Sequence, residues 1–436
     1  YIVGGYFNSR TIEFKNGINL YNNGRYNGII IKYDESGEVK WAKAIVGTDG
    51  ARIDSVAECS DGGYIVGGSF ESRSIDLGNG VSLTNKGSDD GMVIKYSSNG
   101  KVEWAHGIGG TSYDHINSVA ECSDGGYIVV GDFDSSNIDL GNGISLTNRS
   151  INHNSDGMII KYNVNGEVEW AKGIGEEGDE AFNSIAETRD GGYIVAGNFN
   201  SKTINLENGV IITNSIGSTK GIIIKYSSNR EIEWADSIEG VINSLTETDD
   251  GEYIVGGFFN GSIDLGNGES LTSKDSYDGM IIKYNVNGEV EWAQRIGGTR
   301  EDYMKTVIET KDGNYIAGGY FSSSSINLDN EKILANSGGY DGIVLKITDQ
   351  RSVPEAEELE IRNNRKDFKI TTDVKEIDNI KGGSISGENK NPYEKVKYGD
   401  TSTNEIKMIP DENYEIIGIT VNGEDYNFTA NEDGSY

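Results

Sequence analysis

An all-β fold is predicted for this chain, and three observations predict it. The phrase Tyr-Ile-Val-Gly-Gly-x-Phe begins at Tyr1, and close copies begin at Tyr64, Tyr127, Tyr193, Tyr253 and Tyr315. Successive copies are 63, 63, 66, 60 and 62 residues apart, and a near-constant period of that size marks a repeat architecture. Within each period, short apolar runs are punctuated by Asp-Gly and Asn-Gly turns, without the i, i+3, i+4 pattern of helical repeats. Four short strands per unit, arrayed about a centre, are the blades of a β-propeller. An open β-solenoid is the main rival, but its coils are usually shorter. Six copies are visible, so an intact ring of six or seven blades is expected.

The unit from Ile116 to Gly175 shows the elements in order. A first strand, a, runs through Ile116-Asn-Ser-Val-Ala-Glu-Cys122, and Ser-Asp-Gly-Gly turns it into strand b, Tyr127–Phe133. Asp-Gly between apolar runs is a hairpin signal, because glycine supplies positive φ. A longer polar stretch containing Ile138-Asp-Leu-Gly-Asn-Gly leads to strand c, Asp156–Tyr162. The turn Asn163-Val-Asn-Gly166 follows, then strand d, Glu167-Val-Glu-Trp-Ala-Lys-Gly-Ile174. Runs such as Met158-Ile-Ile are apolar at consecutive positions, as in strands covered on both faces.

The first unit starts at strand b and the last, Asp341-Gly-Ile-Val-Leu-Lys-Ile347, ends at strand c. The first blade is therefore expected to lack its inner strand and the sixth its outer one. The propeller is assigned to residues 1–349 and read as N-terminally truncated, with an upstream d–a segment closing the ring. Residues 350–358, with Val353-Pro-Glu-Ala-Glu-Glu, read as a linker. Residues 359–436 form a small β-rich domain, C-terminally truncated, with strand-like runs at Tyr393-Glu-Lys-Val-Lys-Tyr, Ile406-Lys-Met-Ile and Tyr414-Glu-Ile-Ile-Gly-Ile-Thr-Val. Gly382-Gly-Ser-Ile-Ser-Gly belongs to the same pattern, and Val421-Asn-Gly-Glu is a hairpin tip.

Composition narrows the function classes. A formal net charge of −32 disfavours nucleic acid and anionic membrane surfaces, both of which attract basic patches. Sixty glycines against three prolines suit many tight turns. No apolar run is long enough for a transmembrane helix. Cys59 and Cys122 occupy one slot of consecutive repeats. Neighbouring blades would hold them beyond the roughly 7 Å reach of a disulfide, so free thiols are expected. No catalytic motif stands out, and His106, His115 and His153 share no repeat position. The tryptophans Trp41, Trp104, Trp170, Trp234 and Trp292 keep the repeat period and are expected to pack. The recurring Glu58, Glu121, Glu187, Glu247 and Glu309 are expected to accept hydrogen bonds from Asp-Gly turns, a carboxylate ring for Ca²⁺ being the alternative. Neither a metal site nor a cofactor is assigned, and Ca²⁺ is expected to bind at most weakly, through surface loops.

The phrase Asp-Gly-Met-Ile-Ile-Lys-Tyr-x-x-x-Gly-Glu-Val-Glu-Trp-Ala, with Ser-Val-Ala-Glu-x-x-Asp-Gly-Gly-Tyr-Ile-Val-Gly-Gly after it, resembles the β-propeller repeats of bacterial secreted and surface proteins. The resemblance covers residues 1 to about 348. Lys220 before Gly221, and Asn229-Arg230 in place of Asn-Gly, depart from it in the fourth copy. The region after 359 is similar to β-modules of Gram-positive surface proteins. Together these imply an extracellular, cell-surface, non-enzymatic adhesion or recognition protein with a protein or glycan ligand. A structural spacer of a surface layer, or a propeller lyase or glycosidase, are the alternatives.

Antiparallel strands place the tight a–b and c–d turns on one face and the long b–c and d–a connections on the other. Long, variable loops on a rigid scaffold are where binding sites usually lie. The d–a connection of the fourth copy, Glu239-Gly-Val-Ile-Asn243, is about four residues shorter than its counterparts, which predicts a groove beside Tyr277 and Tyr303. Tyr113, Asp114, Tyr277, Asp278, Asp302 and Tyr303 are the expected ligand contacts. Tyr26 and Tyr340 are further aromatics of this face.

Overall fold

The computed structural model describes residues 1–150, 154–214, 218–266, 270–328 and 333–348, and beyond them the backbone of four strands. The protein is all-β, a six-bladed β-propeller with four-stranded blades and almost no helix. Blades 2 to 5 each carry the order a-b-c-d, antiparallel throughout. In blade 3, strands a to d span Asp114–Glu121, Tyr127–Phe133, Asp156–Tyr162 and Val168–Ile174. The end blades have three strands each. Blade 1 is b-c-d from Ile2–Phe7, Asn27–Tyr33 and Val39–Ile45. Blade 6 is a-b-c from Asp302–Glu309, Tyr315–Phe321 and Asp341–Ile347. The phase read from the sequence is the phase of the sheets, and among the described residues no strand of blade 1 pairs with one of blade 6.

The core lies between consecutive blades rather than inside any one of them. One apolar cluster joins Ile65 and Val93 of blade 2 to Ile116, Val129 and Met158 of blade 3. The next joins Ile128 and Val130 of blade 3 to Phe182 and Ile222 of blade 4. Strands b and c are therefore buried on both faces, which explains their unbroken apolar runs. Each fully buried aliphatic side chain is worth roughly 1.5–3 kcal/mol. The tryptophans do pack, and they do so across the blade boundary. Trp41, Trp104, Trp170, Trp234 and Trp292 lie 5.5–5.9 Å from Tyr64, Tyr127, Tyr193, Tyr253 and Tyr315 of the following blade.

Two inter-blade polar devices accompany this packing. Four of the five strand-a glutamates accept from a–b turns, as expected, but from those of the preceding blade, while Glu58 meets Lys32 instead. Ser60 N and Oγ donate to Glu121 at 2.7 and 2.9 Å, and Ser123 does the same for Glu187. Glu247 and Glu309 take the main-chain N–H of Arg189 and Asp249. The second device is a strand-c lysine inside the sheet stack. Lys95, Lys161, Lys225 and Lys283 are buried, and the first three reach Asp61, Asp124 and Asp190 of their own a–b turn at 2.7–2.8 Å. A lone buried ammonium would be costly, so each aliphatic stem packs while the head meets the turn carboxylate. Cys59 and Cys122 are free and buried, and burial pushes both thiols up to about 12.

The long b–c segments contain structure that a polar-loop expectation misses. Each folds into a small antiparallel hairpin: Ser74–Gly78 with Val81–Thr84 in blade 2, and Asn137–Gly141 with Ile144–Thr147 in blade 3. The blade 2 hairpin sends Ile75, Leu77 and Leu83 into the core. The hairpin strands contact their own strand d and that of the preceding blade, so they cover the periphery of the disc.

Residues 347–436 belong to a second unit. Its described strands, Glu357–Asn363, Tyr393–Tyr398, Ile416–Val421 and Glu424–Tyr426, form one antiparallel sheet. Val421 pairs with Glu424, the register of a two-residue hairpin. The expected strand at Ile406 and the Gly382 phrase lie outside the described residues.

Candidate functional site

The long-loop end of the inner strands forms a rim with two chemically different halves. The residue before the final Phe of strand b is Tyr6, Ser69, Asp132, Asn198, Phe258 and Tyr320 in blades 1 to 6. The residue just before strand c, one position ahead of its first residue, is Tyr26 in blade 1, Asp89 in blade 2, Ser155 in blade 3, Tyr277 in blade 5 and Tyr340 in blade 6. Blades 1, 5 and 6 thus present aromatic pairs and blades 2 and 3 polar ones.

On blades 5 and 6 the aromatics meet. Tyr303, on strand a, has its ring 4.6 Å from Phe258, 5.1 Å from Tyr320 and 6.1 Å from Tyr277. Phe258 lies 5.5 Å from Tyr277, and Tyr320 5.3 Å from Tyr340. The result is one continuous run of five rings, Tyr277–Phe258–Tyr303–Tyr320–Tyr340. Its ends are open to solvent, with Tyr277 39% and Tyr340 56% exposed. Lys305, two residues beyond Tyr303, holds its ammonium 5.8–6.0 Å from the rings of Phe258, Tyr303 and Tyr320. Desolvation by this surround lowers its pKa, although the side chain keeps contact with water. Tyr340 Oη donates to the Glu301 carboxylate, which fixes that end of the run. Tyr6 and Tyr26 of blade 1 form a separate pair at 5.6 Å.

The shortened connection of the fourth copy sits beside this run. Strand d of blade 4, Ile232–Glu239, passes into strand a of blade 5, Val241–Glu247, through Gly240 alone. Gly240 has φ +115°, and a Cβ there would lie 2.4 Å from the Phe258 carbonyl oxygen, so glycine is required. Val241 pairs with Phe258, and Phe258 stands between Tyr277 and Tyr303, where the sequence predicted a groove.

The polar half is a web of charges. His115 lies 3.0 Å from Asp132 and 3.4 Å from Asp89, and Asn117 donates to Asp132 at 2.9 Å. Arg52 pairs with Asp54 at 3.0 Å. Despite burial, the two carboxylates push His115 up to about 10, so it is an imidazolium at neutral pH and unsuited to act as a general base. His106 Nε2 donates to Gly166 O, 2.7 Å away, and burial lowers its pKa. His153 lies outside the described residues. Among the described residues no three His, Cys, Asp or Glu side chains are grouped to hold a metal ion.

Of the six expected contacts, the structure gathers two, Tyr277 and Tyr303. Tyr113 is 53% exposed but stands on the polar half, without an aromatic neighbour among the described residues. The three aspartates require a correction, since Asp114, Asp278 and Asp302 are fully buried. Asp114 accepts from Gly110 N at 2.9 Å and from Ser135 N and Oγ at 3.1 and 2.6 Å. Asp302 repeats the pattern with Gly298 and Ser323, and Asp278 takes Lys274 N and the Arg295 guanidinium. Their work is to tie the loops down. Phe258, Tyr320 and Lys305 were missed. Phe258 and Tyr320 differ from Ser69 and Asn198 at one repeat position, and comparing that position across copies would have found them.

Fold and rim together define a repeat-built β-propeller with an aromatic face. No family model matches this chain. An uncharacterized WD repeat-containing protein of Acanthamoeba polyphaga mimivirus is 23% identical over 363 residues, covering 67% of this chain. The chain spans only 26% of that relative's length. Among solved structures, a protein of unknown function from Bacteroides caccae matches at 12% identity and TM-score 0.36, over 72% of this chain and 82% of its own. A glucose dehydrogenase matches at 11% identity and TM-score 0.36, over 76% and 92%. Likenesses this distant carry no argument about activity.

Proposed function

We propose that the protein is a non-catalytic recognition protein of a bacterial cell surface, whose propeller presents the aromatic rim to an extracellular glycan or protein. The second unit serves as a β-module that raises it from the surface. The observation that carries this is the run of five rings on strands and loop ends of blades 5 and 6. Exposed tyrosines combine a large apolar face with a polar tip, and partial exposure of several in contact is unusual unless something covers them. The rings sit on rigid strands, so little order has to be acquired on binding. The sole histidine flanked by two carboxylates among the described residues, His115, is paired with Asp132 and Asp89, and despite burial these carboxylates raise its pKa, which suits a structural ion pair better than a general base.

The test is binding of the purified chain to glycan arrays and to whole cells, with the Tyr277→Ala/Tyr340→Ala double variant beside it. Both residues are exposed, so the variant is expected to keep its melting temperature and lose binding. Binding that survives the double variant, or a wild-type chain that binds nothing while standing as a passive spacer, would refute the proposal.

A further inference from the structure

We infer that the aromatic face takes an acidic polysaccharide, a chain of sugar rings bearing carboxylates, with Lys305 as the residue that reads the acidic group. This rests on the binding function proposed above and specifies its ligand.

The first ground is the charge of Lys305 against its background. The chain carries a net charge of −32, and its buried strand-c lysines Lys95, Lys161, Lys225 and Lys283 all meet carboxylates. Lys305 is in no ion pair among the described residues. The same inner-strand position holds Asp54, Asn117, Asn183 and Asn243 in the other blades. Asn117, Asn183 and Asn243 each donate to a main-chain carbonyl on strand a of the following blade at 2.8–3.1 Å, whereas among the described residues no strand a follows Lys305. A cation placed among three rings, and left without a counter-ion in so acidic a protein, is a ready partner for an anion.

The second ground is the shape of what it serves. Four of the five rings are tyrosines, so the run alternates apolar ring faces with hydroxyl tips, and sugars offer apolar C–H faces with hydroxyls around them. A peptide is the other carboxylate-bearing polymer, and it would bind most readily by adding a strand to a free sheet edge. The rings project from the face of that sheet, where Tyr303 is paired with Tyr320, whereas its free edges are the main chains of strands a and c. The aromatic face therefore recognises side groups and ring faces rather than backbone.

The experiment is calorimetric titration of the full chain with three carboxylated oligosaccharides (oligogalacturonate, oligoalginate and oligohyaluronan), a neutral cello-oligosaccharide and poly-L-glutamate, each against the wild type, Lys305→Gln and Tyr340→Ala. At least one acidic oligosaccharide is expected to bind roughly tenfold or more tighter than the neutral one. Lys305→Gln should remove that preference, while Tyr340→Ala should weaken the binding of acidic and neutral sugars alike. Added salt should erode the acidic preference alone. Equal affinity for neutral and acidic sugars, or a Lys305→Gln variant that binds acidic sugars as well as wild type, would overturn the inference and leave the broader binding function standing. Tight binding of poly-L-glutamate with none of the acidic sugars would assign the face to an acidic protein instead. A failure to bind any probe on the panel or on the wider array would take both down.

Discussion

Lys161 reaches Asp124, and Lys225 reaches Asp190, across a boundary between a dry sheet interior and a wet turn. The carboxylates are about half exposed while the ammonium groups are buried. The hydrogen-bonded lysine and turn N–H hold Asp61 and Asp124 below the usual carboxylate range, and Asp190 at about 2. A carboxylate whose folded pKa is depressed stabilises the fold above its unfolded value and loses that contribution as pH falls through the folded one. His115 has the opposite sign, because its folded value is raised to about 10. Its contribution is complete below about 6.5 and disappears as pH climbs toward 10. The melting temperature is thus expected to be flat near neutrality, to fall from about pH 4 toward 2, and to fall again between about pH 7 and 10. Asp190→Asn should shallow the acid limb and His115→Gln the alkaline one. Limbs unchanged in both variants would show that these groups do not carry the dependence. Only half of this was visible beforehand. The Lys-Tyr phrase recurs in five of the six copies, but a periodic lysine looks the same whether it is solvated or buried.

At the scale of the element, the c–d turn shows how one blade constrains the next. Gly166 has φ +80°, and a Cβ there would approach Trp104 of the preceding blade to 2.6 Å. Arg230 occupies the same turn position in blade 4 at φ +66°, with its guanidinium 5.6 Å from the Trp170 ring. Left-handed backbone costs a non-glycine residue roughly 1–2 kcal/mol. The cation–π contact returns about 0.5–1 kcal/mol, and a glycine there would cost about 0.5–1 kcal/mol through unfolded-chain entropy. The terms nearly cancel, so Arg230→Gly should change stability by less than about 1 kcal/mol in denaturant titration. Gly166→Ala adds a clash to the strain and should cost about 2 kcal/mol or more. Equal effects at the two sites would contradict the role given to the inter-blade tryptophan. The turn type was legible from Asn-Gly, whereas the neighbour that makes glycine necessary was not, since it lies about sixty residues away in sequence.

For the whole molecule, charge is the term that acts at a distance. Seventy acidic residues against thirty-eight basic ones make the folded state repel itself, and screening acts over about 10 Å at 0.1 M salt. Raising NaCl from about 10 to 150 mM should therefore raise the melting temperature by a few degrees, without a requirement for a divalent cation. A melting temperature that is flat or falls with NaCl would mean that local ion pairs outweigh the net charge.

The sequence by itself determined the six visible repeats, the strand order, the phase at both ends of the array and the identity of the face with long connections, while the structure set the blades at six. All of these follow from local turn chemistry and from a period written out six times. The hairpins in the b–c segments were also within reach, since Gly-Asn-Gly separates Ile75 and Leu77 from Val81 and Leu83. Only the tertiary structure decided which rim residues act together. Asp114 and Asp302 read as exposed loop acids until the d–a loop folded over them, and Asp278 until the b–c segment did. Phe258, Tyr303, Tyr320 and Lys305 come from two blades and three strands, and their meeting depends on how one sheet is set against the next. That geometry is the product of side-chain packing between blades, which a strand pattern within one blade does not encode.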